Sequence, residues 1–252
     1  MMLTLYYRVL PLLLSPLLLI QALKVKASTL RLPEPKGVRH HQAAASQSDK
    51  TLSVLIIGDS AAAGVGASHQ QQALSGAIAT RLNQHFNLEW RLHARSGLAT
   101  KGAFRWLDKL PEQHFDVVVI SLGVNDIFSP ISQRGWLRLQ QQFLQQIQSR
   151  LQPQLVILTA VPPLEHFSAL PQPLRYCMGL RAKLFNQGLM QQVKRNANVM
   201  LLAIPNENGQ LSLAQDGFHP SEASYQIWAE AIASACKKHF NVAEINQYQK
   251  TA

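Results

Sequence analysis

The sequence predicts an α/β protein, a three-layer α/β/α sandwich around a central, mainly parallel five-stranded sheet. Three observations carry that expectation. From Lys50 onward, short β-rich apolar runs alternate with longer helix-like segments. Three of the runs are nearly continuous Val, Ile and Leu, the pattern of strands covered on both faces of a parallel sheet. In Gly135–Leu151, Trp136, Leu139, Phe143, Ile147 and Leu151 recur at three- and four-residue spacing, so one helical face is apolar and packs on that sheet.

The expected strands are Ser53–Ile57, Asn87–Leu92, Asp116–Ser121, Leu155–Thr159 and Val199–Leu202. Between them the spacing predicts helices around Gln70–Phe86, Gly102–Leu110, Gly135–Leu151 and Leu174–Asn196, with a last one at Ser221–His239. The expected division of the chain is an apolar targeting or anchoring segment over 1–27, a linker over 28–50, the α/β domain over 51–240 and a tail over 241–252. The linker reading rests on prolines and polar residues without an apolar period.

Composition narrows the class. With 47% hydrophobic and 15% charged residues, the 252-residue chain can bury a large core, which excludes a disordered protein. The net charge of +10 raises the question of nucleic acid, but Arg8, Lys24, Lys26, Arg31, Lys36 and Arg39 against Glu34 put half of it in residues 1–40. The rest is dispersed, without basic runs interleaved with aromatics, so no nucleic-acid partner is expected. Cys177 and Cys236 form no C-x-x-C pair and read as semi-buried thiols.

The run from Val9 to Leu23 is strongly apolar. It fits a signal peptide with Val9–Ile20 as its hydrophobic region and a cut after Ala27. It also fits a retained anchor from Leu3 to Leu23, weakened by Pro11 and Pro16, and an interfacial segment whose following basic residues touch anionic lipid. Membrane association or export is the expectation; the positive charge after the run pulls the domain toward the cytoplasmic side, and the sequence leaves the side of the membrane open.

Ligands of open parallel sheets bind at the carboxyl ends of the strands, so the residues that follow each strand carry the chemistry. After the first strand comes Gly58-Asp59-Ser60, followed by three alanines. Ser60 on a strand-to-helix turn either exposes a nucleophilic hydroxyl or caps the helix. After the second, Gly97 offers a backbone N–H that a ligand can approach closely, with Gly102 as the alternative. After the third, Asn125 can aim its amide at a developing oxyanion, with Asp126 accepting backbone N–H bonds to fix the loop; both also suit plain Asx turns. Asp216 and His219, three apart before the last helix, can place the carboxylate on imidazole Nδ1 and leave Nε2 for a serine. No dinucleotide or P-loop spacing is present, and the histidines are not spaced as zinc ligands, so neither metal nor organic cofactor is expected.

Together, Gly58-Asp59-Ser60, Gly123-x-Asn125-Asp126 and Asp216-x-x-His219 resemble the SGNH (GDSL-type) hydrolase family over most of Leu52–His239. The glycine block departs from the family's usual form, since no Asn stands between Leu92 and Gly97. The resemblance implies a flavodoxin-like fold and a serine esterase acting on short acyl or lipid esters such as lysophospholipids. It implies Ser60, Asp216 and His219 as the catalytic set, and Ser60 N–H, Gly97 N–H and the Asn125 amide as the oxyanion hole. The competing class is a non-catalytic, membrane-tethered lipid- or carbohydrate-binding domain on the same fold. The segment from Val161 to Leu174, with Phe167 and Leu170, reads as a proline-stiffened loop that either shapes an acyl pocket or simply packs.

Overall fold

The structure is a computed structural model that describes residues 13–41, 50–204 and 212–241. Parts of the expected apolar segment, linker and tail (residues 1–12, 42–49 and 242–252) lie outside those residues.

Six strands form one sheet: β1 (His40–His41), β2 (Thr51–Gly58), β3 (Asn87–Ala94), β4 (Val117–Ser121), β5 (Leu155–Thr159) and β6 (Val199–Leu202). Their order is β1-β3-β2-β4-β5-β6, parallel throughout except for β1, which runs antiparallel to β3. The five expected strands are all present. The sixth is β1, short and at the edge, and it comes from the stretch that reads as linker. A two-residue strand with no apolar alternation carries no pattern to detect; its place is set by partners distant in sequence. His40 and His41 pair with Arg91 and Trp90, and the Arg39 guanidinium bonds Glu34 and the Ala94 carbonyl.

Helices cover both faces. The strands' alternating side chains divide the core in two, because successive Cβ atoms point to opposite faces. Leu55, Ile57, Val118, Ile120, Val156 and Leu158 pack toward α4 (Thr100–Leu107), α6 (Gln133–Leu151) and α7 (Leu174–Val193). Val54, Ile56, Val117, Val119, Leu155 and Ile157 pack toward α3 (Leu74–Leu82) and α8 (Glu222–His239), where Tyr225 and Trp228 are fully buried. Cys177 and Cys236 belong to these two different cores and are free, buried thiols. The apolar face of α6 holds as expected at Trp136, Phe143, Ile147 and Leu151, but Gln140 is also buried there, because its amide donates to Thr100 Oγ1 at 2.9 Å.

The N-terminal α1 (Ser15–Ser28) lies along α7. Leu18 is buried, and the Gln21 side chain donates to the Gln172 carbonyl and accepts from Leu174 N–H. No described helix is long and apolar enough to cross a membrane.

Two short helices complete the set, α2 (Ser60–Ala63) and α5 (Val124–Ile127). Each begins within three residues of a strand end. In register, Gly58 at the end of β2 stands opposite both Ala94 of β3 and Ser121 of β4. Three loops therefore leave the same edge side by side, with the one after β2 in the middle. The chain crosses from β2 to β3 on one side and continues to β4 on the other, so β2 is the topological switch point, where such sheets bind their ligands.

Candidate active site

The central loop turns sharply. A Cβ at Gly58 would stand 2.3 Å from the Ser121 carbonyl oxygen, so no larger residue fits where the two strands approach. Asp59 then caps α2, its Oδ1 accepting Ala61 N–H at 3.1 Å. Ser60 thus takes the first helical position, where a backbone N–H has no partner within the helix. The capping residue is Asp59, which releases the Ser60 hydroxyl from that task.

The Ser60 hydroxyl lies 2.9 Å from His219 Nε2, and His219 Nδ1 lies 2.5 Å from Asp216 Oδ2. Ser60 and His219 are 159 positions apart, and several ties bring them together. Tyr225 on α8 donates to the Val65 carbonyl at 2.7 Å, and Glu222 Oε1 accepts both the N–H and the hydroxyl of Ser68. Within its own loop, Asp216 Oδ1 accepts the N–H groups of Phe218 and His219, each at 3.0 Å. Burial alone would raise the Asp216 carboxyl. The bonds from the His219 ring and from these two N–H groups outweigh it and hold the carboxyl below its ordinary range. These bonds thus favour the anionic form of Asp216 beside the His219 ring.

On the other side of Ser60, the Asn125 amide donates to the Leu98 carbonyl at 3.1 Å and lies 3.5 Å from Asp59 Oδ2. Asp126 accepts the Thr100 N–H and hydroxyl at 3.0 and 2.8 Å, and so pins the loop after β3 to the loop after β4. Trp136 and Gln140 donate to the same Thr100 hydroxyl. Gly97 sits in the first of these loops at φ +76°, a conformation few side chains tolerate, with open space where a Cβ would stand. Gly102 lies inside α4, its N–H bonded to the Ala99 carbonyl.

The loop-fixing bonds of Asp126 follow expectation, but the raised carboxyls of two acidic groups here were not legible in the sequence. Asp59 is 2% exposed, and burial pushes its carboxyl up to about 7 against the pull of the Ala61 and Ala62 N–H groups, with repulsion from Asp126 adding to the rise. Burial likewise raises the Asp126 carboxyl against its bonds from Thr100. The folded state thus holds a proton on Asp59 that an unfolded chain, at the ordinary 3.8, has released. A raised acid costs stability as pH climbs from the unfolded value to the folded one, and nothing further above it. Replacing Asp59 by Asn removes that loss. The Asp59→Asn variant is expected to gain on the native protein by about 4 kcal/mol between pH 4 and pH 8. Urea unfolding at both pH values measures this, and parallel midpoints would show that Asp59 ionises normally.

Thr100, Gln140 and Arg181, whose guanidinium caps the Ser129 and Ile131 carbonyls after α5, also escape a reading of the sequence. Their only signal is a polar residue on an otherwise apolar helical face. No group of three metal-binding side chains exists among the described residues. A larger cavity of about 330 Å³ lies elsewhere, near Lys36, His69 and Trp90, and contains none of these groups.

A serine, an imidazole and a carboxylate stand in series at the carboxyl edge of a parallel sheet, an arrangement that suits nucleophilic hydrolysis. The GDSL-like Lipase/Acylhydrolase family model matches residues 56–227, so the chain belongs to that family and is a carboxylic ester hydrolase. None of the curated proteins matches the chain significantly. Solved structures share its fold at low identity. A carbohydrate esterase family 2 enzyme with its carbohydrate-binding domain, from Corynascus thermopiles (Myceliophthora fergusii), is 17% identical at a TM-score of 0.60, over 79% of this chain and 69% of that one. A psychrotrophic esterase from Pseudoalteromonas sp., inhibited by monoethylphosphonate, is 22% identical at 0.58, over 75% and 98%. A lipolytic protein of the G-D-S-L family from Veillonella parvula is 13% identical at 0.58, over 73% and 97%.

Proposed function

We propose that the chain hydrolyses carboxylic esters through an acyl-enzyme on Ser60. The observation that carries this is the unbroken series from Ser60 Oγ to His219 Nε2 and from Nδ1 to Asp216, at 2.9 and 2.5 Å. Ser60 Oγ attacks the ester carbonyl carbon while its proton passes to His219 Nε2. Asp216 keeps the imidazole in the tautomer that accepts there and offsets the charge it acquires. The resulting oxyanion takes hydrogen bonds from Ser60 N–H, Gly97 N–H and the Asn125 amide. Gly97 is favoured over Gly102 because the latter's N–H is already spent within α4. The tetrahedral species collapses, the carbon–oxygen bond to the alcohol breaks, and the alcohol leaves with the proton from His219. Water then attacks the acyl carbon, giving up a proton to His219, and the acid is released as Ser60 recovers it.

A fluorophosphonate probe should label this protein, with the adduct on the peptide carrying Ser60. A non-catalytic binding domain on the same fold would not react, and absence of labelling would favour it. The Asn125 amide is expected to act only once charge develops on the oxygen. Asn125→Ala should therefore lower kcat by about 10²–10³ with little change in KM. A rise in KM alone would remove Asn125 from the oxyanion hole.

We also read a membrane surface as the protein's surroundings. Supporting this, Leu13, Leu19, Ile20 and Leu23 of the α1 region are more than half exposed, with Lys24 and Lys26 beside them on the same short helix.

A further inference from the structure

Beside Ser60 a partly open cavity of about 40 Å³ is lined by Ala61, Val124, Val161, Phe167, Phe218 and Trp228, together with Asp59, Ser60 and His219. Small-molecule sites usually run to several hundred Å³, and one water needs roughly 10–15 Å³ of the same kind of space. The cavity therefore holds only a few heavy atoms. Its accessible lining is mainly apolar, with polar groups from Asp59, Ser60 and His219 and, at the carboxyl ends of β4 and β5, from Ser121 and Thr159.

From this geometry we infer that the cavity receives the acyl tail and admits about two to four carbons, so that the substrates are short-acyl esters of larger alcohols. The assignment rests on the esterase reading above and deepens it. So small and mainly apolar a space cannot take a polar alcohol such as a sugar without stranding most of its hydroxyl groups unpaired. The acyl tail is the part of an ester that can end in it.

The walls are held firmly, which is what makes the size selective. Asn186 clamps Val161 at both ends, its Oδ1 accepting the Val161 N–H at 2.9 Å and its amide donating to the Val161 carbonyl at 2.8 Å. Phe167 is 3% exposed, in the same core as Leu164 and Leu170, and meets Phe218 edge-on at 5.2 Å between ring centres. Ala169 N–H donates to the Gly217 carbonyl, which ties this wall to the Asp216–His219 loop. A longer chain would have to displace packed core residues. The exposed leucines of α1 bear on where the protein sits, not on what it cleaves.

The test is a series of p-nitrophenyl esters from acetyl to dodecanoyl, hydrolysed by the native protein and by Val161→Ala and Phe167→Leu. The expected result is a maximum in kcat/KM between acetyl and butyryl, with a fall of about tenfold or more by octanoyl. Either variant should raise the ratio of hexanoyl to acetyl turnover several-fold, and Val161→Ala serves if Phe167→Leu does not fold. A native maximum at octanoyl or beyond would overturn the inference, as would variants that lower all esters alike. Those outcomes leave fluorophosphonate labelling of Ser60 intact. Failure of labelling together with loss of all ester turnover would instead remove the esterase reading and this one with it.

Discussion

Ser60→Ala is expected to lower ester turnover by roughly 10⁶-fold, to near the background rate, while the far-ultraviolet circular dichroism spectrum stays native. The size of the effect follows from the loss of the attacking atom. His219 and the oxyanion donors remain, but nothing is left to form the acyl-enzyme, and water held by the same groups recovers only a small part of the rate. The fold should tolerate the change because Asp59, not Ser60, supplies the cap of α2. Alanine is also a good residue for the first turn of a helix already built of three alanines. Turnover persisting within tenfold of the native rate would mean that another group attacks.

Asp216→Asn is expected to cost about 10⁴-fold in kcat with modest change in KM. The native carboxylate, fully buried and 2.5 Å from His219 Nδ1, requires the ring proton on that nitrogen and leaves Nε2 free to accept from Ser60. An Asn amide in its place can donate to Nδ1 and so stabilise the opposite tautomer, which has no lone pair for the serine proton. Its carbonyl still accepts the Phe218 and His219 N–H groups that Oδ1 now accepts, so the loop should keep its shape. The comparison to make is kcat against pH for both proteins, alongside thermal unfolding. A loss confined to KM, or one explained by a lower melting temperature, would make Asp216 a loop anchor instead of an orienting group.

Much of the architecture was legible because it follows from local pattern. Continuous runs such as Asp116–Ser121 and Leu155–Thr159 belong to strands covered on both faces, and β5 has the expected bounds. The strand-end rule then led to the Gly58-Asp59-Ser60 turn and Asn125, and the spacing before the last helix to Asp216 and His219, without any knowledge of distance. What resisted was the part that depends on neighbours. Asp59 reads as one more polar residue in a turn, and only enclosure within the fold, with Asp126 near, lifts its carboxyl to about 7. Thr100 and Gln140 look like ordinary helix residues until Asp126 and Trp136 converge on the same hydroxyl. The edge strand at His40–His41 has no period at all, since its partners are supplied by β3.

By itself the sequence pointed to the class of chemistry: a serine and an amide just after strands, and an Asp–His pair just before the last helix. Residue type and spacing suffice for that, because reactivity is a property of functional groups and strand ends are written in hydrophobic pattern. Tertiary structure decided which hydroxyl meets which imidazole across 159 positions, and that Gly97 lies in an open loop while Gly102 is spent inside α4. It also decided the size of the space beside Ser60, about 40 Å³, because a cavity is bounded by side chains from several distant loops at once. No single segment encodes it.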